Sequence, residues 1–274
     1  MPYPAEHPSS NTTSHSKLVK AAAYARFRLE KSAWRVNVLL SRLCGRLRGH
    51  ASPDGEAFRR LPMHLGRLSE ANLNALREAI AAAPIAPFSA ADHAPGYVFN
   101  EGDDAIARIF NDGYRFRRLD APQRRAIARA LDELASEITR CLASGWRVIN
   151  VKSWSIRSET VQLGPNAWHL DGFPVGTFKL MIYLTPIGKM HGTTEVKLGD
   201  GSSRILEGEA GTYLLFDPSV LLHRGIAPGA PAVERIHIEI TLMVTPVTDR
   251  RLADGGLNSS YPRLPWARLP IWQA

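Results

Sequence analysis

Cysteine is nearly missing from this chain: among 274 residues only Cys44 and Cys141 occur, far apart in the sequence. That excludes a disulfide framework and a cysteine-rich zinc module, and makes a reducing cytoplasm the expected location. No apolar run approaches the roughly 18 residues that span a bilayer. The opening MPYPAEHPSSNTTSHS lacks the basic-then-apolar order of a secretory signal. No internal repeat is present. Acidic residues are scarce in one place: from Lys17 to Arg48 nine Lys/Arg face a single acid, Glu30. That segment carries the whole formal charge of +8, because the remaining 25 basic and 25 acidic residues cancel. The high isoelectric point therefore belongs to one segment. With 45% hydrophobic and 22% charged residues, the chain can bury a sizeable core.

The order along the chain is helices first and strands later. Residues 1–16, rich in Pro, Ser, Thr and Asn, read as a disordered tail. Residues 17–48 read as a basic amphipathic helix. Leu18, Ala22, Ala25, Leu29, Ala33, Val36, Leu40, Leu43 and Leu47 form an apolar stripe, and Lys20, Arg28, Lys31, Arg35, Arg42 and Arg46 a basic one. Gly45 weakens its end and Gly49 stops it. Such a helix either docks its apolar stripe on its own domain, with solvated arginines, or makes peripheral contact with an anionic membrane. Phe27 and Trp34 are expected packing anchors. Residues 49–274 read as one domain, with a helical part over about 56–145, a strand-rich part over about 146–246 and a C-terminal extension, 247–274. SEANLNALREAIAAAP is a helix capped by Ser69, DDAIARIFNDG a shorter candidate, and 121–142 a long amphipathic helix behind Asp120.

From residue 146 the apolar period changes to two. WRVINVKSW, TFKLMIYLT, TTEVKL, SRILEG, GTYLLFD and ERIHIEITLMV read as strands, with a hairpin turn at GDGSS. Helices followed by closely spaced strands predict a helix-supported sandwich or barrel. In ERIHIEITLMV, Ile236, Ile238, Ile240, Leu242 and Val244 share one face, and Arg235, His237, Glu239 and Thr241 the other. If the apolar face packs on helices, the polar face looks into the barrel mouth or into water. An inward Arg235 would offer a fork to a carboxylate. His237 and Glu239 would then orient ligands or substrate, or form a solvated ion pair.

WHLDGFP holds a histidine and an aspartate two apart, which an extended backbone points to one side. His223, in LLHRG where an apolar strand gives way to a glycine turn, is the candidate third ligand. Two histidines and one carboxylate leave open positions on a metal and suit non-haem Fe(II).

HLD…HRG…R, with the arginine 12 residues after the second histidine, resembles the Fe(II)/2-oxoglutarate-dependent dioxygenases, and among them the phytanoyl-CoA dioxygenase-like group. The resemblance covers about residues 146–246. It implies an α+β fold, a double-stranded β-helix (jelly-roll, cupin-like) with supporting N-terminal helices. It implies His169, Asp171 and His223 as catalytic iron ligands, Arg235 holding the far carboxylate of 2-oxoglutarate, and Tyr183 touching that co-substrate. Fe(II), with 2-oxoglutarate and O2 as co-substrates, would support hydroxylation of an organic small molecule or lipid-linked substrate, one that the basic helix suggests is anionic. A retained Asp171 favours hydroxylation over halogenation. His191-Gly192 matches the family's turn, which makes His191 a turn residue, while the family's usual Gly-Ser-His is lacking. Two other readings stay open here: a cupin-like metal enzyme without 2-oxoglutarate, and an inert module bound to membrane or polyanion. No specific nucleic-acid binding is expected, since no reader motif is present.

Overall fold

A computed structural model describes residues 32–86, 114–157, 166–171, 173–229 and 233–252. The expected tail, the first half of the basic helix with Phe27, the candidate helix DDAIARIFNDG and most of the C-terminal extension lie outside these residues.

The strand that organises the molecule is the one with the clearest alternation. It runs from Glu234 to Thr245 as β10, between β4 (Gly145–Arg157) and β5 (Thr177–Tyr183), antiparallel to both. With β1 (Met63–Arg67), β2 (Ile85–Ala86), β3 (Tyr114–Arg117) and β8 (Thr212–Phe216) they form a seven-stranded sheet in the order β1-β8-β5-β10-β4-β3-β2. A three-stranded sheet, β7-β6-β9, is built from Ser203–Ile205, Thr193–Lys197 and His223–Ile226. The chain thus folds as the helix-supported barrel expected from its patterning, and as the α+β jelly-roll that the family resemblance implied.

The outward face of the large sheet packs on helices. Ile238, Ile240, Leu242 and Val244 of β10 and Leu180 and Ile182 of β5 meet Leu73, Leu76 and Ile80 of α3 (Glu70–Ala81). They also meet Ile127, Leu131, Leu134 and Ile138 of α4 (Ala121–Leu142). Each such side chain contributes about 1.5–3 kcal/mol on burial. Ser69 caps α3 through the Asn72 N–H, as expected; Asp120 precedes α4 but makes no side-chain cap, bonding Arg118 instead. The register between β4 and β10 shifts between Thr241 and Leu242. One residue, Ile149, is extra, so Trp146 and Val148 before it and Val151 after it all reach the helix-side core.

Three elements correct the expectations. Helical structure begins earlier than residue 56, with α2 over Pro53–Arg60, whose cap Ser52 accepts from Gly55 N–H. LLHRG is not a strand running into a glycine turn. The turn comes first, over Asp217–Val220, and the strand β9 begins at His223. Residues 32–47 do form a helix, α1, with Gly49 beyond its end at φ +73°. It docks, however, through Trp34, Asn37, Val38 and Ser41 and leaves Val36, Leu40, Leu43 and Leu47 of the expected apolar stripe exposed. The helix runs through Gly45, which lies against Ala143, whose carbonyl oxygen a Cβ would overlap. Trp34 is the packing anchor expected, seated against Met243. Among the described residues, no helix is long and apolar enough to cross a membrane.

Candidate metal centre

His169 and Asp171 lie on a short extended segment that pairs with the sheet at one point. His169 N–H donates to His223 O at 2.9 Å and His223 N–H returns the bond to His169 O at 3.1 Å. This closely spaced antiparallel pair sets the two imidazoles opposite one another, ring centroids 4.3 Å apart. Asp171 N–H donates to Pro218 O at 2.8 Å, tying the segment to the turn that precedes β9. One ligand atom from each of His169, Asp171 and His223 falls within 4.8 Å of the others.

The protonation pattern suits a cation. His169 Nδ1 donates to Ala167 O and His223 Nδ1 to Leu221 O, each at 2.8 Å and each to the carbonyl two residues earlier. A carbonyl can only accept, so Nδ1 carries a proton in each ring, which leaves Nε2 of either imidazole as the nitrogen that can serve a cation. Burial lowers the His223 pKa to about 4, assisted by the nearby Lys179 ammonium, so the ring is neutral at physiological pH. Asp171 is held ionised. Burial alone would raise its pKa, but the Lys179 ammonium outweighs that, with help from His169, and the result lies well below the usual range. Lys179 Nζ sits 2.6 Å from Asp171 Oδ2, while Oδ1 lies 3.5 Å from His169 Nε2. The lysine occupies one carboxylate oxygen and leaves the other toward the histidines.

Behind this pair the run of charge continues through a buried carboxylate. Glu239 lies 3.6 Å from Lys179 and 3.1 Å from Lys152. Its carboxyl is lowered despite complete burial, because Lys152 and Lys179 together outweigh desolvation. Glu239 and His237 are both buried and do not pair with each other, which rules out the solvated ion pair. Sequence reasoning did not single out Lys179 and Lys152. The available signal was parity: in TFKLMIYLT and WRVINVKSW each lysine falls on the inward positions, with Tyr183 and Trp154 respectively.

Arg235 points inward as the alternation requires and is only 2% exposed. Its Nη1 donates to Thr193 O and to Ile226 O, the latter at 3.1 Å, while Nε has no hydrogen-bond partner among the described residues. Ile226 lies three residues beyond His223 on β9, so the guanidinium sits roughly 10 Å along that strand from the triad. His237 lies between Arg235 and Glu239 on the same face, fully buried, with neither ring nitrogen bonded among the described residues. Burial, reinforced by Arg235 and the two lysines, holds its pKa well below the usual value and keeps it neutral. Tyr183 faces the interior opposite His237, and its hydroxyl bonds Thr194 Oγ1 at 2.8 Å. His191 is exposed in the turn before β6 and is not one of the clustered ligands.

The residues flanking the histidines also meet. The Arg224 guanidinium lies 4.7 Å and Lys197 Nζ 5.2 Å from the Trp168 ring centre, and Arg224 Nε donates to Glu195 at 2.7 Å. These cation–π contacts tie the His169 segment to β9 and β6 a second time.

No protein-family profile matches this chain, and no curated protein matches it. Among solved structures, the chain is similar to the non-heme alpha ketoglutarate dependent epimerase SnoN from nogalamycin biosynthesis. That likeness has a TM-score of 0.50 at 12% identity, over 69% of this chain and 81% of SnoN. HygX from Streptomyces hygroscopicus, crystallised with nickel, 2-oxoglutarate and hygromycin B, gives a TM-score of 0.49 at 12% identity, over 77% of this chain and 95% of HygX. The carbocyclase SnoK from nogalamycin biosynthesis gives 0.49 at 13%, over 75% and 94%. At such identities the likeness is one of fold.

Proposed function

We propose that this protein is a non-haem Fe(II)/2-oxoglutarate-dependent oxygenase, of the phytanoyl-CoA dioxygenase-like kind, that hydroxylates an organic small molecule or a lipid-linked substrate. The observation that carries the reading is the pairing of an open triad with Arg235. Two histidines and an ionised aspartate suit a divalent cation, and a buried guanidinium with an unbonded Nε waits farther down the same barrel wall. A dicarboxylate chelating the metal with one end would present its other carboxylate to Arg235. The jelly-roll shared with SnoN agrees with this reading.

When bound, iron and 2-oxoglutarate would supply oxidative decarboxylation coupled to C–H oxidation, with O2 as oxidant. The chain's own contribution is geometric. Ala167 and Leu221 carbonyls fix both imidazole tautomers, and Lys179 holds Asp171 so that a single oxygen faces the cation. His237 offers a neutral hydrogen-bonding ring beside the space between metal and guanidinium. Tyr183, bonded to Thr194, lines that wall and would contact the co-substrate.

The test is anaerobic titration of purified protein with Fe(II) and then 2-oxoglutarate. A visible metal-to-keto-acid charge-transfer band is expected, abolished by His169→Ala and weakened by Arg235→Ala. Iron binding with no band would discard the 2-oxoglutarate reading, and absence of iron binding would discard the metal centre.

A further inference from the structure

Helix α1 has two faces of opposite fate. Its inner face is fixed to the barrel: Asn37 Nδ2 donates to Val244 O at 2.9 Å, Val38 abuts Gly176, and Gly45 lies on Ala143. On the outer face Val36, Leu39, Leu40, Leu43 and Leu47 are 50%, 66%, 44%, 53% and 80% exposed. Their spacing of three, one, three and four residues places them in one continuous stripe along the helix. Single exposed apolar side chains need no explanation, but five along one stripe of a docked helix form a patch of the kind that marks an interaction surface. Arg35, Arg42 and Arg46, seven and four apart and all exposed, run along one edge of the stripe. No Asp or Glu occurs between Lys31 and Pro53.

The geometry points to α1 as a surface that seats this protein on an anionic lipid bilayer. The five apolar side chains would enter the headgroup–acyl boundary, roughly 5–10 Å deep. The arginine row would meet lipid phosphates, to which guanidinium groups donate in a fixed fork. Charge decides among possible occupants. A second copy of the helix would bring another row of arginines and no carboxylate to meet them, whereas an anionic surface answers both features at once.

The experiment is co-sedimentation of the full chain with vesicles of equal parts phosphatidylglycerol and phosphatidylcholine, against phosphatidylcholine alone. Partition onto the anionic vesicles is expected, weakening with added salt. Arg35→Gln/Arg42→Gln/Arg46→Gln should lower it on the order of a hundredfold, each cation contributing roughly fivefold. Leu39→Glu/Leu43→Glu should abolish it. Both sets of side chains are exposed, and an unchanged thermal melt confirms an intact fold; if the glutamate variant melts early, the arginine variant and the salt series decide. Three results would overturn the proposal: no partition onto anionic vesicles, partition indifferent to both variants and to salt, or a dimer in light scattering that Leu39→Glu/Leu43→Glu dissociates.

Discussion

Glu239 and Ile240 are neighbours on β10, equally removed from water, and opposite in what they do. Ile240 faces the helices and belongs to a continuous apolar core. Glu239 faces the barrel, where burial opposes its charge and only Lys152 and Lys179 make that charge tolerable. The same contrast runs the length of the strand: one face holds the fold together, and the other holds Arg235, His237 and Glu239 ready at a cost in desolvation. A strand so divided shows that burial alone does not identify the core; burial with unmet hydrogen-bonding capacity identifies the site.

Substitutions can break this contrast at either face. Removing Glu239 should have the largest effect. Glu239→Ala removes the carboxylate that Lys152 and Lys179 share and should cost about 3–5 kcal/mol in urea-melt stability. It should also weaken iron binding, because Lys179 is left with Asp171 as its remaining carboxylate. Ile240→Ala should cost a comparable or smaller amount, about 2–5 kcal/mol, yet leave the iron dissociation constant of the folded protein unchanged. Equal losses of iron affinity in the two variants would erase the distinction between the faces. Arg235→Ala should weaken 2-oxoglutarate binding by about 1.5–3 kcal/mol, the worth of a charged hydrogen bond, with iron affinity retained in a metal titration.

The smallest effect concerns pH. His237 is held neutral in the fold, its pKa well below the 6.5 of the free side chain. The unfolded chain therefore binds more protons below about pH 6.5, and stability is lost as pH falls through that range. It is fully present above it. His237→Phe should flatten this part of a melting-temperature profile without changing stability at neutral pH by more than about 1 kcal/mol. An unchanged profile would mean that His237 is not the group responsible.

Much of this was legible in the sequence where the deciding interaction is local or periodic. The two faces of β10, the Ser69 cap and the helix over 121–142 follow from spacing and from residues a few positions apart. The histidines and aspartate could be found because family resemblance supplied the long-range pairing that spacing cannot. What escaped depended on partners distant in the chain. The bulge at Ile149 is set against Thr241 and Leu242. The docking face of α1 is chosen by Val244, Gly176 and Ala143, all far downstream, so its leucine stripe gave the wrong side. The partnership of Lys179 with Asp171 and Glu239 spans three separate segments, and nothing in TFKLMIYLT announces it beyond a charge at an inward position.

The bridge between His169 and His223 has a consequence for assembly. The two residues are 54 positions apart and meet through one reciprocal pair of backbone bonds. A slip of one residue in β9 would turn the His223 side chain to the opposite face, leaving a compact chain with no triad. Under the proposed reading a metal would reward only the correct register: present at a hundred times its dissociation constant, it would add about 2.7 kcal/mol to that arrangement and nothing to a slipped one. Iron supply during synthesis would then act as a quality filter, raising the yield of correctly threaded protein and not only its activity.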